Sequence, residues 1–188
     1  MPQQIAKEKE LDFDDERIIR QAQTHPAAFK PVYEMYFRRI FIFVHHRIGE
    51  KELSADGTHQ VFLKALTNLS KFQFRGVPFS AWLFRIALNE CNDYYRKTRK
   101  ARLVSLDEKA TSNLFDELTY DIRLDELENR LPEMLGKLNS DELQLIQLRF
   151  FESRSFKEVG DIVGISEGNA KVKTYRVVGK IRKMFLKE

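Results

Sequence analysis

Two helix-start signals separated by a glycine turn constrain the C-terminal part of the chain most strongly. In the stretch Ser155-Phe156-Lys157-Glu158, the serine and glutamate side chains can each accept a hydrogen bond from the other residue's backbone N–H, which is a capping box. The apolar period that follows ends at Gly164, where we expect a positive φ angle, and Ser166 is placed to cap a second helix. A helix, a three-residue turn and a second helix predict a helix-turn-helix.

The same turn also matches a catalytic motif, because residues 164–168 read G-I-S-E-G. A G-x-S-x-G turn exposes a nucleophilic serine in α/β hydrolases, whose acid and histidine follow the serine in the chain. Here all four histidines precede Ser166, and the only side-chain carboxylates after it are Glu167 and Glu188. The segment before Gly164 is amphipathic helix rather than strand, so we interpret Ser166 as a helix cap and expect no enzymatic activity.

Apolar residues recur at helical spacing through the rest of the chain. The pattern predicts helices over residues 29–47, 55–69, 79–95 and 140–151, with a short helix near 124–131. No segment alternates apolar and polar residues beside a hairpin turn, and the apolar fraction of 43% supports a packed interior. The sequence therefore predicts an all-α protein.

Charge divides the chain into two parts. Five basic and no acidic residues lie between 96 and 102, whereas residues 105–133 hold nine acids and three bases. Such a break predicts two small helical domains joined by an acidic linker. The expected boundaries are an N-terminal extension at 1–26, a first domain at 27–102, a linker at 103–130 and a second domain at 131–188.

Cysteine use and hydropathy predict a cytoplasmic protein. The single cysteine, Cys91, excludes an intramolecular disulfide and falls in an apolar helical pattern, so we expect a buried thiol. The N-terminal segment lacks the apolar core of a signal peptide, and the longest apolar run, residues 40–44, is too short for membrane insertion. We find no phosphate-binding glycine pattern and no histidine or carboxylate spacing typical of a metal site, so we expect no cofactor.

The helix after Ser166 carries the charge expected of a duplex-binding element. Residues 171–188 include seven bases and one acid. Basic side chains neutralise phosphates, and residues early in a recognition helix reach base edges in the major groove. A solvated helix face is the alternative interpretation of the same charges. The predicted duplex contacts are Ser166, Glu167, Gly168, Asn169, Lys171, Lys173, Arg176 and Lys180.

Residues 71–100 interleave aromatic and basic side chains. Aromatic faces stack on unpaired bases and nearby cations neutralise phosphates, so this composition is typical of single-strand binding. Phe79 and Trp82 fall on the inner helical stripe, and spacing alone leaves an aromatic core equally open as an explanation.

The chain resembles a sigma factor of bacterial RNA polymerase, of the short extracytoplasmic-function (ECF) type. Residues 74–89 match the family pattern F-R-x-x-x-x-F-x-x-W-L-x-R-I-A-x-N with a slightly varied spacer. The segment A-D-G-T-H-Q-V-F-L-K-A-L is similar to D-L-V-Q-E-V-F-L-K-A-L, and S-F-K-E-V-G-D-I-V-G-I-S-E-G-N-A-K to S-Y-x-E-I-A-x-I-L-G-I-S-x-G-T-V-K. The resemblance covers residues 27–102 and 131–186.

The resemblance implies a function for each domain. The first domain, region 2, binds the β′ clamp helices of core RNA polymerase and captures flipped bases of the −10 element. The second domain, region 4, sits on the β flap and docks its helix-turn-helix at the −35 element, while the acidic linker threads the polymerase channel. Matching positions are Asp56, Gln60 and Phe62 for core polymerase, and Phe72, Phe74, Arg75, Asn89, Asn92, Tyr95 and Arg96 for the −10 strand.

The family also implies an anti-sigma factor as a further partner, beside core polymerase and promoter DNA. The chain departs from the family at Gly57, His59 and Gln60, and a glycine inside a helix costs about 1 kcal/mol relative to alanine. We therefore expect a loosened helix start there and a weakened or shifted polymerase contact, with His59 a simple polar replacement. The alternative function is a helix-turn-helix transcriptional activator with an N-terminal partner-binding domain.

Overall fold

The computed structural model describes residues 14–98, 114–115, 117–118 and 124–186. Within these ranges the chain forms helices and no strand, which confirms the all-α prediction. Short 3₁₀ turns lie at Pro26–Phe29 and Leu69–Lys71, and a π-helical turn lies at Gln147–Phe151. The helices are α1 (Asp14–Thr24), α2 (Lys30–Ile48), α3 (Lys51–Asn68), α4 (Phe79–Thr98), α5 (Leu124–Gly136), α6 (Ser140–Ile146), α7 (Phe156–Val163) and α8 (Glu167–Leu186).

Helices α2, α3 and α4 form the first domain around an apolar core. Ile40, Val44, Val61 and Ala65 are completely buried at its centre. Cys91 lies in the same core, and its burial raises the pKa of the thiol to about 11. The thiol is therefore protonated at neutral pH, as a structural rather than a reactive cysteine should be.

The expectation of a loosened helix start around Gly57 is wrong. Helix α3 begins at Lys51, earlier than the sequence predicted, so Gly57 lies well inside it. A Cβ atom at Gly57 would lie 3.3 Å from Val44 Cγ1 and 3.5 Å from Ile48 Cδ1. Gly57 thus faces α2 at close range, inside a helix that continues on both sides of it.

The segment that the sequence assigned to an N-terminal extension contains a packed helix. Helix α1 buries Ile19 and Ala22 against the first domain. It contacts α2 and the turn Leu69–Lys71. Sequence patterns missed α1 because only a few of its residues are apolar.

Helices α5 to α8 form the second domain, and capping boxes begin two of them. Asn139 and Glu142 form a capping box at α6, with the Glu142 N–H donating to Asn139 Oδ1 at 2.9 Å. Ser155 and Glu158 form the predicted box at α7: the Glu158 N–H donates to Ser155 Oγ at 3.2 Å, and the Ser155 N–H donates to Glu158 Oε2 at 2.8 Å. Each box satisfies backbone donors that the first turn of a helix leaves free.

The described part of the acidic linker does not stand away from the protein. Leu114, Phe115 and Leu118 are buried, with exposures of 0%, 7% and 1%. The sequence placed these residues in a tether without structure of its own, because the surrounding charges obscure three apolar residues.

In the described ranges, no helix is long and apolar enough to cross a membrane.

The two domains pack against each other, with α4 lying on α7. Arg47, at the end of α2, forms a buried ion pair with Glu152, which follows the π-helical turn; the Nη1–Oε1 distance is 2.5 Å. The Arg154 guanidinium lies 4.3 Å from the ring centre of Phe84 on α4. This interdomain contact (Arg47 and α4 against residues 140–164) determines which predicted site residues are exposed.

Candidate nucleic-acid interface

The turn between α7 and α8 has the geometry that the sequence predicted. Gly164 adopts φ +80° and closes α7, with its N–H donating to the Gly160 carbonyl at 2.8 Å. A Cβ atom at Gly160 would lie 2.7 Å from the Ile165 carbonyl oxygen, so this position requires glycine. Ser166 Oγ accepts a hydrogen bond from the Asn169 N–H at 3.3 Å, which confirms the serine as the cap of α8.

The predicted duplex contacts on α8 are all exposed, but they occupy two sides of the helix. At 100° per residue, Asn169, Lys173, Arg176 and Lys180 share one side. Lys171 lies on the opposite side. The basic surface of α8 is therefore one stripe of three cations and an asparagine, with Lys171 apart from it.

One cation of the stripe is already paired within the protein. Lys180 Nζ lies 2.7 Å from Glu142 Oε2. The hydrogen bond from Lys180 holds the pKa of the Glu142 carboxyl below its usual range. Glu142 thus both caps α6 and partly neutralises the surface predicted to face DNA.

The described part of the linker contacts the same side of α8 as Lys171. The Tyr175 hydroxyl donates to Glu117 Oε1 at 3.3 Å, and Arg182 Nη2 donates to the Glu117 carbonyl at 2.6 Å. Burial, and then the Glu117 carboxylate, raise the pKa of Tyr175. The linker therefore occupies one edge of the helix and leaves the stripe of Asn169, Lys173 and Arg176 exposed.

The aromatic residues between α3 and α4 form one cluster. Phe72 is 7% exposed, and its ring centre lies 4.8 Å from Phe74, 5.3 Å from Phe79 and 5.1 Å from Trp82. Phe74 is half-buried and Arg75 is exposed in the loop that follows, which we call the aromatic loop (residues 72–76). The core interpretation holds for Phe72 and Phe79, whereas Phe74 borders solvent and its binding to an unpaired base stays a prediction.

The predicted single-strand residues on α4 separate into two groups. Asn89 and Arg96 are exposed. Asn92 lies at the interdomain contact, where its Oδ1 accepts a hydrogen bond from Ser140 Oγ at 3.3 Å. Tyr95 lines a small cavity there together with Ser140, and its hydroxyl donates to the Arg47 carbonyl of the first domain. The packing of the domains thus covers part of the surface that the sequence predicted to face DNA.

Arg85 makes an interdomain contact that sequence reasoning did not assign. Its Nε donates to the Ile162 carbonyl at 2.9 Å and its Nη2 to the Asp161 carbonyl at 2.5 Å. These carbonyls belong to the last turn of α7, where a helix leaves acceptors free and attracts cations. The arginine stood out within the motif of residues 74–89, but nothing in the sequence indicated this partner.

The three residues predicted to contact polymerase differ in exposure. Asp56 and Gln60 are exposed on α3, whereas Phe62 is 3% exposed. The Phe62 ring lies 4.8 Å from Tyr33 and 6.3 Å from Phe37, so it supports the helix surface from inside. His59 is exposed beside this cluster.

Family models match both domains in order. The model described as Sigma-70 region 2 matches residues 32–101, and that described as Sigma-70, region 4 matches residues 134–183. Together they cover well over half of the chain. This protein belongs to the sigma-70 family, and it is a sigma factor of the ECF type.

Curated relatives agree with this assignment. The chain is 29% identical over 169 residues to the ECF RNA polymerase sigma factor BldN of Streptomyces coelicolor, covering 89% of this chain and 64% of BldN. It is 26% identical to the ECF RNA polymerase sigma factor SigW of Bacillus subtilis, covering 83% of this chain and 88% of SigW. A structure of CnrH in complex with the cytosolic domain of CnrY shares the fold, with 22% identity, a TM-score of 0.58 and coverage of 91% and 96%.

Proposed function

We propose that this sigma factor binds core RNA polymerase, recognises the −35 and −10 promoter elements and promotes DNA melting. The observation that carries the proposal is the presence, in one chain and in family order, of a capped helix-turn-helix and an aromatic loop. Sigma factors are non-catalytic initiation factors, and Ser166 serves here as a helix cap. The protein acts by binding alone.

At the −35 element, α8 lies in the major groove of the duplex. The stripe of Asn169, Lys173, Arg176 and Lys180 faces the groove and its phosphates, with Ser166, Glu167 and Gly168 at the helix start close to base edges. Lys171, on the other side of α8, reaches the flanking phosphates. Exposure of all these positions supports the assignment.

At the −10 element, the first domain captures unpaired bases of one strand. Phe74 and Arg75 supply a stacking surface and a cation, and Phe72 holds the Phe74 ring from behind. Asn89 and Arg96 extend this surface along α4. Asn92 and Tyr95 join it only after the interdomain contact separates, since they now lie within it.

The polymerase contacts follow from the exposed part of α3. Asp56 and Gln60 face the β′ clamp helices, and Phe62 supports this surface from the core. The second domain binds the β flap. An anti-sigma factor is the further partner that we infer from the family.

Promoter binding requires the two domains to separate. The −35 and −10 elements are about 25 base pairs apart, which is roughly 85 Å of straight duplex at 3.4 Å per base pair. In the present structure α4 touches α7, with Arg85 2.9 Å from the Ile162 carbonyl oxygen. The chain between α4 and α5, residues 99–123, spans at most about 90 Å when extended, which is long enough for both elements once Leu114, Phe115 and Leu118 leave the core.

Transcription with purified components tests the proposal. We expect the protein to form a complex with core polymerase and to direct run-off transcripts from a promoter selected from a randomised library. A duplex-binding protein that forms no complex with core polymerase would instead be the transcriptional activator considered from the sequence.

A further inference from the structure

Helix α1 lies outside the region-2 match, which begins at residue 32, yet it contacts the base of the aromatic loop. Gln23 Nε2 donates to the Leu69 carbonyl at 3.0 Å and to the Phe72 carbonyl at 2.8 Å. These carbonyls stand at the two ends of the short turn that leads into the loop, and the Phe72 N–H also donates to the Leu69 carbonyl. One amide group therefore ties both ends of the turn to α1.

A second side chain of α1 contacts the loop itself. The Arg20 guanidinium lies 5.3 Å from the ring centre of Phe74, which is within cation–π distance. Glu16 orients this guanidinium through Arg20 Nε at 2.8 Å and Nη2 at 2.6 Å. The half-buried Phe74 ring is thus held between Arg20 and Phe72.

Helix α1 is itself firmly attached, so it can serve as a fixed support. Ile19 and Ala22 are 1% and 2% exposed. Gln23 is half-buried between them and the loop, while Gln21 on the same helix is exposed.

We propose that α1 positions the aromatic loop for base capture, with Gln23 holding the loop backbone and Arg20 holding the Phe74 ring. The inference rests on the proposed sigma function, because the loop must bind an unpaired base for its position to matter. A loop ordered before binding loses less conformational entropy at the moment of capture. Gln23 and Arg20 are positioning residues, which act through Phe74.

Three variants test this inference in the holoenzyme. Gln23→Ala removes two hydrogen bonds, Gln23→Glu keeps the size but offers the carbonyls an acceptor, and Gln21→Ala is the matched control on an exposed position. The probe is a promoter selected by the wild-type holoenzyme, with permanganate reactivity of unpaired thymines as the measure of melting. Closed-complex binding and core-polymerase binding are measured in parallel.

We expect Gln23→Ala to slow melting about tenfold, because it removes both hydrogen bonds that hold the loop backbone. Gln23→Glu should be slower still, and Gln21→Ala unchanged. The affinity of the closed complex for the promoter and the affinity for core polymerase should stay unchanged. If the Gln23 side chain acts only by filling space, Gln23→Glu should melt the promoter at a rate near that of the wild type. That result would overturn the inference.

The single tryptophan gives a second readout. Trp82 lies 5.1 Å from Phe72, so its fluorescence reports on the cluster directly. We expect Gln23→Ala to increase quenching of Trp82 by acrylamide, with unfolding temperature nearly unchanged. If Phe74→Ala impairs melting while the Gln23 variants do not, the inference fails and the sigma function stands. If neither affects melting, the proposed role of the aromatic loop fails as well.

Discussion

The two surfaces proposed to meet DNA are built in opposite ways. The stripe on α8 comes from one helix, and its residues Asn169, Lys173 and Arg176 are exposed as they stand. The −10 surface combines a loop with α4; part of it is core at Phe72, and part is covered by the second domain at Asn92 and Tyr95. The residues of the first surface share one side of a single helix because of their spacing in the sequence. The second surface depends on the packing of the aromatic cluster and on separation of the two domains.

This difference assigns different consequences to similar substitutions. Changes on α8 should affect DNA binding without affecting folding, because the side chains have few internal partners. Changes around the aromatic loop and α4 should affect protein stability, the contact between the two domains and promoter melting to different extents. The following experiments separate these effects, beginning with the largest.

Replacing Phe72 should test the core contribution to the −10 surface most directly. The ring is 7% exposed and contacts three aromatic rings, so Phe72→Ala should lower the free energy of unfolding by about 3 kcal/mol or more. Phe74→Ala should cost far less stability and instead impair melting more than closed binding. Urea unfolding of both variants checks this, and equal losses would contradict the division between core and surface.

Glu152→Gln should open the two domains. It leaves Arg47 buried without its carboxylate, which costs about 3–5 kcal/mol in a fixed interior. Within the part of the chain that the structure describes, Nε and Nη2 of Arg47 lack hydrogen-bond partners, so water gained on opening stabilises the separated state. Small-angle scattering should show an increased radius of gyration. Glu133→Gln, which removes an exposed pair with Lys137, is the control. An unchanged radius in Glu152→Gln would show that the Arg47–Glu152 pair does not hold the domains together.

Arg85→Ala should weaken the same contact by a smaller amount. It removes two charged hydrogen bonds to the last carbonyls of α7, each worth about 1.5 kcal/mol or more. The carbonyls can then bind water, which offsets part of the loss, so we expect the closed population to fall about tenfold. Fluorescence transfer between dyes on the two domains measures this. Lys97→Ala, at an exposed position of α4, should leave the transfer unchanged.

Glu142→Gln should strengthen duplex binding by the α8 stripe. Glutamine still completes the capping box of α6, but it releases Lys180 from the ion pair and removes a negative charge beside the stripe. A partly exposed pair is worth up to about 1 kcal/mol, so the gain should not exceed about fivefold. Fluorescence anisotropy with a mixed-sequence duplex measures it, with Glu34→Gln as a distant control. Unchanged binding would place Lys180 and Glu142 away from DNA.

Lys171→Ala should give the smallest change. If Lys171 contacts one phosphate, the slope of log affinity against log salt should fall by about 0.9. Its position on the other side of α8 from Lys173 makes this a test of how far the duplex wraps around the helix. Anisotropy across a salt series provides the slope, and an unchanged slope would restrict DNA contact to the stripe.

Local signals in the sequence predicted local structure well. The capping box at Ser155, the positive φ at Gly164 and the cap at Ser166 are all present, because each involves residues within a few positions of one another. Gly57 was misjudged for the opposite reason. Helix propensity counted against it, whereas its close approach to Val44 involves another helix, which propensity does not describe.

The sequence by itself determined the all-α class, the helix-turn-helix and the family, since helical period, caps and motif order are properties of neighbouring residues. Only the tertiary structure decided that α1 supports the aromatic loop, that Leu114 and Phe115 pack into a core, and that Arg85 caps α7 from the other domain. These contacts join residues far apart in the chain, and their partners are mostly backbone carbonyls. Every residue has the same backbone carbonyl group, so the sequence does not indicate which carbonyl an arginine or glutamine side chain will bind.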